Sequence, residues 1–239
     1  MQKQPAIFCW SGGKDSSYAL YKVQQENQYE IKYLLSTING NNKRLSMHGI
    51  REELIEAQAN SIGIPLLKVY VYEASNAGYE NQMRETLLQV KSEGINTVLF
   101  GDIFLEDLRE YRENKMKELG MQCEFPLWKM DTAHIIKDFV QKGFKTYLCC
   151  VNEDYLDESQ VGKLIDGDFI KELPATVDPC GENGEFHTYC FEGPIFQQKI
   201  TVTTGEKIYK PFNIPASTHP TPVKDPYTKG FWYCDIHLQ

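Results

Sequence analysis

Short apolar runs alternate with helical patterns over the first half of the chain. Residues 6–10 (Ala-Ile-Phe-Cys-Trp) are apolar and end at Ser-Gly-Gly, which is typical of a buried strand that leads into a loop. Similar runs predict three more strands, and apolar residues at helical spacing predict helices between them. These strands are expected at residues 31–38, 66–72 and 97–102, and the helices at residues 15–27, 49–62, 79–90 and 105–119. The alternation is typical of an α/β protein with a doubly wound parallel sheet.

The pattern changes after about residue 125, so we predict a first domain at residues 1–123 and a second, smaller α/β domain at residues 124–239. The second part is predicted to contain a helix at 132–142, a strand at 146–151, a stretch rich in Gly, Pro and acidic residues at 166–193, and β-like sequence at 198–204. Residues 211–239 hold five of the eleven prolines together with Tyr227, Phe231, Trp232 and Tyr233. We expect an extended arm that packs on the body of the protein or on a second subunit of a homo-oligomer.

Composition narrows the possible partners and the compartment. The chain has 25 Lys and Arg against 33 Asp and Glu, a net charge of −8, and lacks a basic cluster, so a nucleic acid partner is not expected. It contains neither a signal-peptide layout nor the ~18 consecutive apolar residues that a bilayer span needs. The seven cysteines show no C-x-x-C spacing, which favours reduced thiols. We therefore expect a cytoplasmic protein without membrane segments.

A phosphate-binding loop is predicted where the first strand meets the first helix. Gly12 and Gly13 allow the backbone to approach a ligand closely, and the N-terminus of the following helix favours anions. The other residues of the predicted loop add polar groups: hydroxyls from Ser11, Ser16 and Ser17, an ammonium from Lys14, and a carboxylate from Asp15. A carboxylate would repel phosphates in an anion site, but its presence is explained if it binds a Mg²⁺ ion that also contacts the phosphates. The simpler alternative is a Ser/Gly turn that caps a helix.

The order of residues matches neither a Walker A loop nor the G-x-G-x-x-G dinucleotide fingerprint. Ser-Gly-Gly-Lys-Asp-Ser is instead similar to the pyrophosphate loop of the N-type ATP pyrophosphatases, which belong to the adenine nucleotide alpha hydrolase superfamily with a Rossmann-like fold. The resemblance implies that the loop grips the β- and γ-phosphates of ATP. A nucleophile then attacks the α-phosphate, and the products are AMP and pyrophosphate.

Further nucleotide contacts are predicted at strand ends, where α/β sheets bind ligands. Members of this superfamily place backbone groups against adenine at the position of Ser36 and Thr37. Residues Met47 and His48 precede the second helix and could lie over the nucleotide, although a lone histidine is often structural. The last pair, Gly101 and Asp102, follows the fourth strand, where the alternative is a plain turn.

Residues 178–188 (Asp-Pro-Cys-Gly-Glu-Asn-Gly-Glu-Phe-His-Thr) form the second motif, in which two carboxylates and an imidazole lie within the six residues 182–187. Such groups can position an amine nucleophile, accept its proton or bind a cationic substrate, whereas a solvated acidic turn is the alternative. The predicted catalytic residues are Glu182, Glu185, His187 and Lys14. The predicted substrate contacts are Glu182, Asn183, Glu185, His187 and Thr188.

Nearly the whole chain resembles the diphthine–ammonia ligase family. The shared features, in order, are the phosphate loop, Gly101-Asp102, residues 125–128 (Phe-Pro-Leu-Trp), a Gly-Glu-x-Gly-Glu-Phe-x-Thr string that matches at Gly181, Glu182, Gly184, Glu185 and Thr188, and Gly193-Pro194-x-Phe196. The resemblance implies an active site between a nucleotide domain and a substrate domain. It also implies that ATP activates a carboxylate as an acyl-adenylate, which ammonia or an amine then attacks.

One residue departs from the family pattern. Diphthamide-forming members carry Gly-Gly-Glu-Tyr-Glu-Thr, whereas this chain has His187 at the place of the second carboxylate. Imidazole titrates near neutrality and would attract the trimethylammonium of diphthine less than a carboxylate does. We therefore expect an AMP-forming amide ligase whose acceptor need not be diphthine. The alternatives are a tRNA-modifying or sulfur-transfer enzyme of the same superfamily, and a nucleotide-binding module without catalysis.

Overall fold

The computed structural model describes residues 3–45, 48–72, 76–211 and 229–239. Its elements, in chain order, are β1 (Gln4–Cys9), α1 (Lys14–Glu26), β2 (Tyr29–Asn39), β3 (Arg44–Leu45), α2 (Glu52–Ile62), β4 (Leu66–Val71), α3 (Asn76–Ser92), β5 (Thr97–Leu99), α4 (Glu106–Glu118), β6 (Gln122–Glu124), α5 (Thr132–Gln141), β7 (Lys145–Asn152), α6 (Gly167–Glu172), β8 (Phe186–Glu192), β9 (Val202–Pro211) and β10 (Gly230–Leu238). Every helix and strand predicted for the first half is present.

The first sheet is parallel except for β3. Strand β1 lies between β2 and β5, β4 pairs with β2, and β6 pairs with β5, while the short β3 runs antiparallel to the end of β2. Ala6 and Phe8 belong to one apolar cluster and Ile7 to another, because successive side chains of a strand point to opposite faces. Both faces are therefore covered, and the predicted doubly wound α/β fold is confirmed.

The second sheet is antiparallel and has the order β8-β7-β10-β9. Strand β10 is an inner strand, since Phe231 is paired with Asn152 on one side and with Lys210 on the other. Residues 230–238, which we expected in an extended arm packed on the body of the protein or on a second subunit, form a strand inside this sheet. Tyr227 lies outside the described residues.

Residues 166–193 are also more regular than their composition indicates. The Asp166 carboxylate accepts hydrogen bonds from the backbone N–H groups of Asp168 and Phe169, and so caps α6. Strand β8 forms because Phe186, Tyr189 and Cys190 are buried. Helix α6 precedes the second motif and strand β8 includes its last residues, and together they hold it in place beside the first sheet.

The two sheets share one apolar core. A single cluster includes Phe8 and Leu54 from the first part and Phe186 and Tyr189 from β8. The hydroxyl of Tyr189 donates to the backbone carbonyl of Leu54 at 3.0 Å. The domain division at residues 123 and 124 stays a prediction. Within the described ranges, no helix combines the length and apolarity needed to cross a membrane.

Candidate active site

A cavity of about 900 Å³ lies at the carboxyl ends of the parallel strands. This volume is within the roughly 300–1,000 Å³ of typical ligand sites. One wall is apolar and comes from the first sheet and α3, including Cys9, Leu35, Val71, Tyr79 and Met83. The predicted site residues that line it are Ser11, Lys14, Asp15, Ser16, Thr37, His48, Gly101, Asp102, Glu182, Asn183, His187 and Thr188. The structure therefore brings most of the predicted residues together.

The phosphate loop (residues 11–17) is held by partners remote in sequence. The backbone carbonyl of Gly12 accepts hydrogen bonds from Nε2 of Gln58 at 2.8 Å and from the N–H of Cys190 at 2.9 Å. Gly12 has φ 71°, and a Cβ there would lie 2.4 Å from Oε1 of Gln58, so glycine is required. The indole of Trp10 donates to the same Oε1 at 2.9 Å. Gln58 is a part of the site that the sequence analysis missed.

The loop hydroxyls divide between the cavity and the interior. Ser11 Oγ donates to Ser16 Oγ at 3.1 Å, and Ser16 Oγ donates to the carbonyl of Gly13 at 3.0 Å. Ser17 is fully buried, so its predicted phosphate contact is not supported by its position. Ser11 and Ser16 line the cavity and remain candidates for phosphate contacts.

Lys14 is the cation of the loop, and its side chain is only 3% exposed. Its ammonium donates to both carboxylate oxygens of Asp15, at 2.8 and 2.7 Å, and to the carbonyl of Cys180. Burial disfavours the charge, but the neighbouring Asp15 outweighs it and raises the pKa of Lys14. The ammonium therefore remains charged at neutral pH.

Asp15 was predicted to bind Mg²⁺. Among the described residues, no group of three or more His, Cys, Asp and Glu side chains is arranged to hold a metal ion. Mg²⁺ in nucleotide sites is typically held by one or two carboxylates together with substrate phosphates. Asp15, which lines the cavity beside Lys14, fits a site of that kind, and its role stays a prediction.

The second motif closes on the phosphate loop. The backbone N–H of Lys14 donates to Oγ1 of Thr188 at 2.9 Å, although the two residues are 174 positions apart. A Cβ on Gly13 would lie 3.1 Å from the Thr188 carbonyl, so the backbone of β8 passes close to the loop. The two motifs predicted from the sequence thus form walls of one cavity.

The two glutamates of the second motif have different environments. Oε1 of Glu182 accepts hydrogen bonds from the N–H groups of Ile103, at 2.7 Å, and Phe104, at 3.3 Å, and the side chain lines the cavity. Burial, with a contribution from Asp15, raises the pKa of Glu182 to about 7. This carboxyl group can exchange a proton near neutral pH.

Glu185 does not line the cavity and is 1% exposed. Its Oε1 accepts hydrogen bonds from the N–H of Asp178 at 2.9 Å and from Nδ2 of Asn183 at 3.1 Å. The carboxylate therefore fixes the turn that precedes β8. This geometry does not support a direct catalytic role for Glu185, because the side chain turns into its own loop.

His48 and His187 form a pair, with ring centroids 4.5 Å apart and planes inclined at 31°. Burial lowers the pKa of His48 to about 4 and lowers the pKa of His187 well below its usual value. The expectation that His187 titrates near neutrality is therefore wrong, because burial excludes the charged form. Both rings line the cavity as neutral imidazoles.

The remaining nucleotide candidates support the walls. Ser36 is 1% exposed, and its hydroxyl donates to the carbonyl of Trp10 at 2.7 Å, whereas Thr37 lines the cavity. Asp102 pairs with Arg112, with Oδ2 2.7 Å from Nε. Arg112 was not predicted, since nothing in the pattern of α4 distinguishes it. Met47 lies outside the described residues.

Gly101 brings two backbones together at the edge of the cavity. A Cβ at Gly101 would lie 3.3 Å from both the Cα and the N of Ser16 at the start of α1. A side chain would push the end of β5 away from the phosphate loop. This close approach explains why a glycine stands there.

Comparisons with known proteins show which family the sequence belongs to. The family profile of the diphthamide synthase N-terminal domain matches residues 4–123, and that of the C-terminal domain matches residues 131–214. Diphthine–ammonia ligases of Rattus norvegicus and Mus musculus are each 26% identical to this chain, over 222 and 221 residues, covering 83% of it and 82% of each relative. The Homo sapiens diphthine–ammonia ligase is 24% identical over 221 residues, with the same coverage. The resemblance inferred from the motifs is confirmed, and the chain belongs to the diphthamide synthase family.

Proposed function

We propose that this protein joins a carboxylate to ammonia or an amine through an acyl-adenylate, with release of AMP and pyrophosphate. Its family membership supports the coarser statement that it is an ATP-dependent carbon–nitrogen ligase. The observation that carries the finer one is that the phosphate loop and the second motif line one cavity, joined by the hydrogen bond from Lys14 to Thr188.

The reaction has two balanced steps. A carboxylate oxygen of the acceptor attacks the α-phosphorus of ATP, the bond to the β-phosphate breaks, and pyrophosphate leaves. The nitrogen of ammonia then attacks the acyl carbon, AMP leaves with the bonding electron pair, and one proton is released. The products are an amide, AMP, pyrophosphate and a proton.

The residues of this chain can serve both steps. The positive end of α1 and the Lys14 ammonium hold the outer phosphates, and Asp15 with those phosphates would hold Mg²⁺, which supplies positive charge against the leaving pyrophosphate. Glu182 also lines the cavity and has a pKa of about 7, so it can accept the proton that the amine loses. The apolar wall near Cys9 and Val71 suits a flat base such as adenine.

The acceptor need not be diphthine. Relatives are named diphthine–ammonia ligases, and diphthine carries a fixed positive charge. Where the diphthamide-forming pattern has a carboxylate, this chain has His187, whose pKa is well below its usual value. A neutral ring offers no charge for a trimethylammonium group. We propose that the acceptor carries a carboxylate and that it does not need a positively charged group beside this carboxylate.

A sulfur-transfer reaction is less compatible with the site. All seven cysteines are free, and burial raises the pKa of Cys9, which lines the cavity, to about 12, and also raises the pKa of Cys180, which keeps both thiols protonated. The thiolate needed to carry sulfur is therefore disfavoured at Cys9 in the cavity wall and at Cys180 in the second motif. The acidic net charge of −8 also disfavours a tRNA substrate.

A product assay tests the proposal. The protein would be incubated with ATP, Mg²⁺, ammonium chloride and a panel of carboxylic acids that includes a diphthine-bearing protein. The proposal predicts AMP, pyrophosphate and an amide in equal amounts with at least one acid, and much less of each with the Lys14→Ala variant at the same ATP concentration. Formation of ADP and phosphate, or ATP that stays intact with every acid, would contradict it.

A further inference from the structure

The segment at residues 125–130 contains a family motif, Phe-Pro-Leu-Trp, that does not touch the cavity. It packs instead under the loop between β5 and α4. The backbone N–H of Lys129 donates to the carbonyl of Ile103 at 2.7 Å. Ile103 and Phe104 are the two residues whose N–H groups bind Glu182. The segment is therefore connected to Glu182 in the cavity through two successive hydrogen bonds.

Peptide geometry couples these two hydrogen bonds. The carbonyl of Ile103 and the N–H of Phe104 belong to the same planar trans peptide, so they point in opposite directions. When Lys129 holds the carbonyl on one side, the N–H must point to the other side, where Oε1 of Glu182 accepts it at 3.3 Å. The Ile103 N–H adds a second donor to the same oxygen, at 2.7 Å. Two successive N–H groups of this kind form a small anion-binding nest.

The backbone of Lys129 adopts a costly conformation to make this contact. Its φ is 59°, and among the described residues only Asn27 and Lys43 are other non-glycine residues with positive φ. Such conformations persist where the surroundings determine them, often at functional sites. The side chain of Lys129 is 66% exposed and reaches Glu106 only across the surface, at 3.4 Å. The structural contact of Lys129 is therefore made by its backbone N–H and not by its charged side chain.

The surroundings of Lys129 are rigid. The Arg109 guanidinium lies 4.6 Å from the ring centre of Trp128 and 5.0 Å from that of Phe125, so α4 is fastened to the turn. Leu127 is fully buried, and its carbonyl accepts from the N–H of Met130 at 3.0 Å. The turn can therefore hold the Ile103 carbonyl in one direction.

We propose that the turn at residues 125–130 is a positioning element for Glu182: the Lys129 N–H fixes the peptide between Ile103 and Phe104, which aims the Phe104 N–H, next to that of Ile103, at the Glu182 carboxylate. The effect on turnover rests on the proposed function, whereas the effect on the Phe104 amide does not.

Three variants separate backbone from side chain. Lys129→Pro removes the N–H and cannot adopt a positive φ. Lys129→Gly keeps the N–H and adopts the positive φ readily, and Lys129→Ala removes only the charge. A matched control is Asn27→Pro, since Asn27 has φ 57° and its N–H donates to the Val23 carbonyl at 3.1 Å. This residue lies just beyond the C-terminal end of α1, about 20 Å along the helix from the phosphate loop.

The amide resonances of Ile103 and Phe104 in ¹⁵N–¹H spectra report the contact directly, with Glu182→Gln as the reference for assignment. We expect Lys129→Pro to shift both resonances and to increase the hydrogen exchange of the Phe104 amide. Lys129→Gly, Lys129→Ala and Asn27→Pro should leave them in place, the last despite lower thermal stability. Where Lys129→Pro fails to fold, Trp128→Ala should give a smaller change of the same sign.

Turnover supplies the second readout. In Lys129→Pro, kcat for AMP formation should fall at least roughly tenfold while the KM for ATP stays within about twofold, and Lys129→Gly should restore kcat. Unchanged Phe104 exchange in Lys129→Pro, or equal losses in the proline and glycine variants, would overturn the proposal. If the wild type forms no AMP with any acid, the proposed function fails, and the amide measurements still decide the positioning role.

Discussion

The phosphate loop and the second motif reach the same cavity by different means. The loop is continuous, and Ser11, Lys14 and Ser16 line the cavity as a strand–loop–helix junction requires. The second motif sends only some of its groups there: Glu182 faces the cavity, whereas Glu185, three residues later, is 1% exposed and binds its own turn. The spacing of residues in the sequence identifies a chemical motif. The fold around the start of β8 then determines which side chains of that motif reach the cavity.

The largest expected effect separates the two glutamates. Glu182→Gln keeps the oxygen that accepts from Ile103 and removes the titrating group, so kcat for AMP formation should fall by roughly 10²–10⁴ with a similar KM for ATP. The matched variant is Glu185→Gln, which should lose far less turnover because its carboxylate lies outside the cavity. Equal losses in steady-state kinetics would remove the distinction between the two residues.

A smaller effect is expected for nucleotide binding by the loop. Lys14→Ala removes the buried ammonium, and a charge-assisted hydrogen bond contributes about 1.5–3 kcal/mol, so ATP affinity should fall roughly ten- to hundredfold. Isothermal titration calorimetry measures this directly. Lys22→Ala, on the same helix but outside the cavity, is the control and should bind ATP normally. Unchanged affinity in Lys14→Ala would exclude the loop as the triphosphate site.

Glu185 should act on stability instead. Glu185→Ala leaves the partly buried N–H of Asp178 without its acceptor, and an unsatisfied donor away from water costs about 1–3 kcal/mol. The free energy of unfolding from urea denaturation should decrease by this amount. The variant Asp131→Ala, which removes the N-cap of α5, serves as a comparison. It removes one hydrogen-bond acceptor near the surface, and the loss of an N-cap typically costs about 1 kcal/mol. A fully stable Glu185→Ala protein would show that the turn does not depend on this carboxylate.

The smallest expected effect is a pH dependence of stability. The pKa of Glu182 is about 7 in the folded protein against an ordinary 4.5, so the folded state binds more protons between these values. Wild-type stability should therefore lose this contribution as pH rises from 4.5 to 7 and level off above it. Glu182→Gln lacks the contribution, and its Tm relative to wild type should rise by a few degrees over that range. A difference in Tm that is independent of pH would contradict the raised pKa.

Local signals explain which parts of the fold were predictable. Apolar periodicity and stop residues gave the elements of the first half; Gly63, for example, ends α2 with φ 80° and an N–H bonded to the Ala59 carbonyl. Strand β10 was not recognised as an inner strand, because pairing with β7 and β9 is a long-range property. The sequence did not predict strand β8 at residues 186–192, because the residues before it are rich in glycine and acidic side chains, which are typical of loops.

The site was predictable at the level of motifs and less so at the level of partners. Gln58 resembles any polar residue of a surface helix, yet it is fully buried and binds Gly12 and Cys190. The neutral state of His187 follows from burial, which a single sequence does not reveal. Contacts that join distant segments decide these features, and spacing along the chain carries no information about them.

The central claim is that one cavity holds the triphosphate by the loop and presents its α-phosphorus to the second motif. A crystal structure with Mg²⁺ and α,β-methylene-ATP, which cannot be cleaved at that bond, tests it most directly. The account predicts the β- and γ-phosphates within hydrogen-bond distance of Ser11, Lys14 and Ser16, and the α-phosphorus on the side of Glu182. A triphosphate bound elsewhere, or an α-phosphorus turned away from residues 182–188, would contradict it.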